Sequence, residues 1–151
     1  MKKTLLLFIV ALFIGCSGTN LNFQSILISP IQIGVGNLYG NGNEKITKQN
    51  LVISNNLAWT ELMVKMNSVN NETQNLNETN IDFSKFVVLA IFDEVKVSGG
   101  YSISIKGILE NQDNLTVTVQ HTAPAGYAYA VMTQPYCIVK IPVTTKEIFF
   151  E

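Results

Sequence analysis

Phe86-Val87-Val88-Leu89-Ala90-Ile91-Phe92 is an apolar run without a break. A strand with one solvated face alternates apolar and polar residues, whereas one buried on both faces does not. The run therefore predicts a central strand with packing partners on each side. Downstream the pattern turns to period two. Val95 and Val97 alternate with polar residues, as do Tyr101, Ile103 and Ile105, then Leu115, Val117 and Val119. Cys137, Val139 and Ile141 form a further alternating strand that Pro135 precedes and Pro142 ends, and residues 148–150 a short last one. Upstream, 25–35 and 51–53 read as strands.

Parity sets the expected loops, because cross-strand neighbours share a face. A three-residue loop, 98–100, pairs Val97 with Tyr101 and Val95 with Ile103 and places Gly100 at positive φ. A five-residue loop, 110–114, pairs Leu109 with Leu115 and Ile105 with Val119. Pro124-Ala125-Gly126 turns the chain, after which Tyr127, Tyr129 and Val131 continue on one side. Tyr39-Gly40-Asn41-Gly42 reads as a hairpin tip, since Asn-Gly adopts positive φ at little cost. The glycines around it do not form a phosphate loop, because no Lys-Ser/Thr follows.

One helix is expected. Trp59, Leu62, Met63 and Met66 recur at i, i+3, i+4 and i+7, with Asn55 or Asn56 as N-cap. Glu61 and Lys65 stand at i, i+4 in the favourable order. The helix should cover 57–67, with its stripe in the core. Beyond it, 67–80 holds six of the chain's sixteen Asn and no apolar period, and reads as a mobile loop. The fold class is α+β: a mainly antiparallel sheet structure, a small sandwich or half-barrel, capped by one amphipathic helix.

Composition narrows the chemistry. There are 151 residues, a net charge of −1 and no Arg, so there is no basic field for nucleic acid and no bidentate phosphate clamp. One His and two Cys do not make a metal cluster, and no cofactor is expected. His121 is the single imidazole, read as a surface residue at a strand end. Ser98, Ser102 and Ser104 lack a nucleophile elbow, and Asp93 and Glu94 point to opposite faces of a strand. The reading is of a protein that is not an enzyme. Tyr101, Tyr127, Tyr129 and Tyr136 lie in or beside turns, where tyrosines cap a sheet or anchor an interface.

The N-terminus directs the chain to an envelope. Met1-Lys2-Lys3, ten apolar residues over 5–14, and Gly15-Cys16-Ser17-Gly18 form the plan of a secretory signal too short to span a bilayer. Phe13-Ile14-Gly15-Cys16 resembles the bacterial lipobox, where the Cys is diacylated and becomes the new N-terminus. Two or more acyl chains anchor firmly where one does not. The expected organisation is a lipoprotein signal peptide, 1–15, a lipidated Cys16 with a tether to residue 24, and a single globular domain, 25–151. Cys137, left without a partner, reads as a buried inert thiol. The acidic cluster of surface-displayed lipoproteins is missing after Cys16. The expected location is the periplasmic face of the outer membrane, held by a lipid anchor.

Four stretches carry a family resemblance. They are Phe86 to Phe92, Ser98-Gly99-Gly100-Tyr101-Ser102-Ile103, Pro124-Ala125-Gly126, and Thr133-Gln134-Pro135-Tyr136 with Ile138-Val139-Lys140-Ile141-Pro142. Over about 83–143 the sequence resembles the PrcB C-terminal domain family, named for an accessory lipoprotein of a bacterial secreted protease complex. The resemblance implies a non-catalytic binding or accessory subunit whose partner is a protease or another envelope protein. It supplies no catalytic residues. Gly99-Gly100-Tyr101 beside a Pro-Gly loop is also similar to chagasin-like peptidase inhibitors, which block an active site with loops of an immunoglobulin-like sandwich. An envelope structural protein without a protease partner is the third alternative. The candidate contact loop is Ser98, Gly99, Gly100, Tyr101, Pro124, Gly126 and Tyr127.

Overall fold

A computed structural model describes residues 23–151. The expected signal segment, Cys16 and the tether to residue 22 lie outside the described residues. Two sheets and one helix make three layers. The strands are β1 (Ile26–Ile28), β2 (Ile31–Leu38), β3 (Gln49–Ile53), β4 (Phe86–Phe92), β5 (Ser102–Glu110), β6 (Asn114–Thr122), β7 (Gln134–Pro142) and β8 (Glu147–Phe150). The middle sheet runs β2-β7-β4-β3, all antiparallel, and the outer sheet runs β1-β5-β6-β8, with β6 and β8 parallel. Helix α1 (Asn56–Met66) covers the other face of the middle sheet.

The unbroken apolar run is the reason for this layering. Val88, Ala90 and Phe92 of β4 pack toward Trp59, Leu62 and Met66 of α1, while Val87, Leu89 and Ile91 pack toward Ile103, Ile108, Leu115 and Val117 of the outer sheet. β7, its neighbour, is buried in the same two-sided way from Gln134 to Ile141. α1 begins where expected: the Asn55 side chain accepts the Ala58 N–H at 3.0 Å.

Several local expectations are corrected. Residues 95–97 form no hairpin with β5. Lys96 instead makes an isolated bridge to Thr133, Val97 is exposed, and the chain crosses here from one sheet to the other. The strand expected at Tyr127, Tyr129 and Val131 is an exposed loop. Pro135 lies inside β7 rather than interrupting it, opposite Asn37. The 25–35 strand is two strands broken at Ser29-Pro30, one in each sheet. The turn at Asn41-Gly42 has the expected positive φ, 56° and 82°, but joins β2 and β3, which are not neighbours, so it is no hairpin tip. In the β5–β6 pair a bulge between Ile105 and Gly107 keeps Ile105 opposite Val119 yet moves Leu109 opposite Thr116.

The Asn-rich segment departs furthest from expectation. It contains a short 3-10 helix, Glu72–Asn75, and is tied to the sheet along its length. The buried Glu72 carboxylate accepts the Tyr136 hydroxyl at 2.9 Å. Leu76 sits over Gly34, and Asn77 N–H donates to Ile33 O at 2.7 Å. The Trp59 indole donates to Thr79 O at 2.8 Å, and Glu78 pairs with Lys140. Two glutamate side chains, two backbone groups and one leucine fix a stretch that lacks any periodic apolar face.

Candidate functional site

Three connections emerge at one end of the sandwich: 39–48 after β2, 93–101 after β4 and 123–133 after β6. The antiparallel order of both sheets brings them together. Their bases are joined by two buried polar residues, Asp93 and Gln134. Asp93 follows the last residue of β4, and its side chain is only 4% exposed. Its carboxylate meets Lys48 at 3.2 Å, Lys96 at 3.2 Å and His121 Nδ1 at 3.0 Å. The Glu94 N–H donates to it at 2.8 Å. The Gln134 side chain donates to Ile46 O at 2.7 Å and to Asp93 O at 2.9 Å. Two of the three connections, 39–48 and 93–101, are thus bonded to this pair. The third leaves β6 just beyond His121 and is held to 93–101 by Gly99 N–H on Tyr129 O and by the Lys96–Thr133 bridge.

Burial by itself would raise the Asp93 carboxyl. The Glu94 N–H, His121, Lys96 and Lys48 outweigh it and hold the group well below the usual carboxylate range. Burial likewise works to lower the Lys96 ammonium, but Glu94 and Asp93 raise it. Both groups are charged at neutral pH, so the hub is a buried anion ringed by cations that reach it from the surface.

The candidate contact residues fall on two of these connections. Gly100 has the expected positive φ, +84°, although the hairpin from which it was expected does not form, and a Cβ there would lie 2.8 Å from Pro124 Cβ. The Gly-Gly loop and the Pro-Gly loop are therefore packed against each other. Gly99 N–H donates to Tyr129 O at 3.0 Å, and Ser98 O accepts the Thr133 hydroxyl at 3.1 Å. Tyr101 is half-buried beneath Lys96, whose ammonium is 5.2 Å from the ring centre, so it belongs to the loop's foundation. Tyr127 and Tyr129 are fully or nearly fully exposed, at 111% and 88%, and Val97 is 81% exposed. Val131 and Met132 add smaller apolar areas. Tyr136, the fourth turn-side tyrosine, is buried, and burial together with Glu72 raises its hydroxyl.

Gly100→Ala is expected to destabilise by about 2 kcal/mol, from strain at positive φ and the clash with Pro124. Gly126 has open space around it, so Gly126→Ala should leave the thermal midpoint unchanged. Equal midpoints for the two variants would contradict the packed-loop geometry.

The catalytic alternatives have little geometry to work with. An Asp–His pair orients an imidazole for base chemistry, but Ser102 and Ser104 flank Ile103, the residue opposite His121. Strand alternation sends both hydroxyls to the other face. Asp93 and Glu94 lie beyond the end of β4 and do not point to opposite faces as expected: both meet the Lys96 ammonium, at 3.2 and 2.7 Å, which makes them partners of one ion pair network and not a free acid and base. Cys137 is buried, and burial raises its thiol despite a bond with the Ile105 backbone. Among the described residues no group of three His, Cys, Asp or Glu could hold a metal ion, and no helix is long and apolar enough to cross a membrane.

Sequence reasoning missed the hub. Lys48, Asp93, Lys96, His121 and Gln134 are spread over four segments, so no local spacing announces them. The available signal was an acid directly after a strand buried on both faces, where a carboxylate needs partners. No curated protein matches the chain, and no solved structure does. Residues 87–142, from β4 through the packed loops to the end of β7, match the family model described as PrcB C-terminal, the family that the sequence motifs resemble.

Proposed function

We propose that the chain is a non-catalytic accessory subunit of an envelope protease, and that the loop end of the sandwich is its contact surface. The observation that carries this reading is the exposed group Val97, Tyr127 and Tyr129 on two loops packed against each other, the first of them fixed by the Asp93 ion pairs. Exposed tyrosines on a stiff support contribute contact area with little entropy to lose, the usual chemistry of an anchor. The PrcB C-terminal match supports a protease as the partner. A photo-crosslinking amino acid at position 127 should give an adduct with an envelope protease in intact cells, and the same probe at Val64 on α1 should not. Equal labelling from both positions contradicts the reading.

A second reading has its own support. Two loops packed at one end of a two-sheet sandwich also suit a loop-based peptidase inhibitor of chagasin-like type. Titration of the full chain against cysteine and subtilisin-like proteases separates the two. An inhibitor lowers turnover, and an accessory subunit binds without doing so.

The proposed anchor is a lipid on Cys16, supported by the apolar run that ends at Gly15. Cys16→Ala should abolish acyl labelling and leave an unprocessed precursor. Normal processing of that variant contradicts the anchor. The periplasmic face of the outer membrane is the proposed location, and protease shaving of intact cells tests it: protection is expected, and loss of the protein overturns it.

A further inference from the structure

On one flank the chain itself joins the two sheets, passing from β1 to β2 through Ser29-Pro30. The opposite flank carries the edge strands β3 and β8, and between them lies a cavity of about 300 Å³. It is lined by the apolar Ile103, Val119 and Phe150 and by the polar Lys48, Asn50 and His121, and Glu151, also at its wall, has its side-chain carboxylate taken by the Thr118 hydroxyl at 3.2 Å. On the other face of β3 a groove of about 230 Å³ separates the strand from α1, lined by the apolar Leu51, Ile53, Ala58 and Leu62, with Glu61 and Lys65 of opposite charge beside them. β3 therefore has a recess on each face and no strand beyond it.

The edges on the joined flank, β2 and β1, are treated differently. Asn77 donates to β2 from its backbone, to Ile33 O, and from its side chain, to Gln32 O. β1 has three residues and stops before Pro30. Among the described residues no such bond reaches β3 from outside its sheet.

We propose that β3 receives an extended peptide strand from a partner protein, which adds a fifth strand to the middle sheet and sends alternate side chains into the cavity and the groove. Backbone pairing at an open edge demands an extended chain, and the pockets on alternate sides read its side chains. A side chain opposite Asn50 enters the cavity, and one opposite Leu51 enters the groove. The charges define the cavity residue further. Lys48 is half-exposed, spends one contact on Asp93 and keeps other ammonium donors free, with His121 on the same cavity. An acidic side chain at the cavity, beside an apolar one at the groove, complements these walls. A second copy is the weaker occupant. Five residues of strand span about 17 Å, and pairing β3 with itself covers far less than the roughly 1,000 Å² of a stable interface. This inference stands apart from the loop-end contact and survives its failure.

The test pans the full chain, held in detergent, against a phage-displayed random heptapeptide library. Enriched peptides are expected to alternate, to carry Asp or Glu and to lack Pro in the paired stretch. In a synthetic copy of the best binder, N-methylating one set of alternate residues should weaken binding about a hundredfold, and methylating the other set should change it little. Lys48→Gln should weaken the acidic peptides about tenfold. Amide exchange at 49–53 should slow when peptide is added. The proposal is overturned by no enrichment above a detergent control, or by indifference to N-methylation in both registers. It is equally overturned if exchange at β3 slows with protein concentration in the absence of peptide, which is the signature of self-pairing.

Discussion

Asp93→Ala is expected to lower stability by about 2 kcal/mol, because it removes the buried anion shared by three cations and leaves Lys96 only the exposed Glu94 as a partner. Lys96 has a side chain only 16% exposed, so solvent compensates the loss of Asp93 less readily for it than for Lys48 or His121, which are about half exposed. The control is Asp82, whose pair with Lys85 is open to solvent on both sides, and whose replacement should shift the urea midpoint little. If Asp93→Ala and Asp82→Ala unfold at the same urea concentration, the hub has no structural weight. The acid limb gives a second check. The folded Asp93 carboxyl is held below its unfolded value, near 3.9. Its contribution is complete above about pH 4 and is lost as the pH falls from there toward the depressed folded value. Asp93→Asn should therefore be less stable at neutral pH and show a flatter acid limb. Because Asp93 fixes Lys96 and the 93–101 connection, to which Tyr129 O and Thr133 are bonded, the same variant should also lower crosslinking from position 127, without any change at the exposed tyrosines themselves.

The parts of the fold that could be read were those whose cause is local. The β4 run states two-sided burial, and the structure puts a layer on each side of it. The Trp59 stripe states a helix, and Gly100 states a positive φ. The hairpin expected from Val95 and Val97 failed for a different reason. Alternation tells which residues share a face but not which sheet a strand joins, and the chain changes sheets between β4 and β5. In β5 the parity rule missed the bulge after Ile105, a one-residue slip that leaves one end of the pair in the expected register and shifts the other. At the candidate site, the two loops were named together from Gly-Gly-Tyr and Pro-Gly, and the structure packs Gly100 on Pro124. What lay beneath them was illegible. Asp93 draws its cations from positions 48, 96 and 121, and only the folded topology makes those neighbours.

Trp59→Ala should be the most damaging single change, at about 4 kcal/mol. The side chain is fully buried between α1 and the middle sheet, and truncation leaves a cavity among Leu62, Met66, Val88 and Ala90, which a packed sheet cannot close. The lost hydrogen bond is the smaller part. Thr79 is exposed, so water replaces the indole at its carbonyl. Trp59→Phe separates the two contributions, since it keeps most of the ring and removes the donor, and it should cost about 1–2 kcal/mol. Its effect should be local. Thr79 is one of the points that tie 67–80 to the domain, together with Glu72 on Tyr136 and Asn77 on Ile33. With that tie gone, limited proteolysis should cut within 67–80 several times faster, while the peptide bonds of 93–101 keep their resistance. Cutting that accelerates equally at both places would mean that the indole holds the whole domain and not the Asn-rich segment. Unchanged cutting at 67–80 would mean that the polar ties at Glu72 and Asn77 suffice without it.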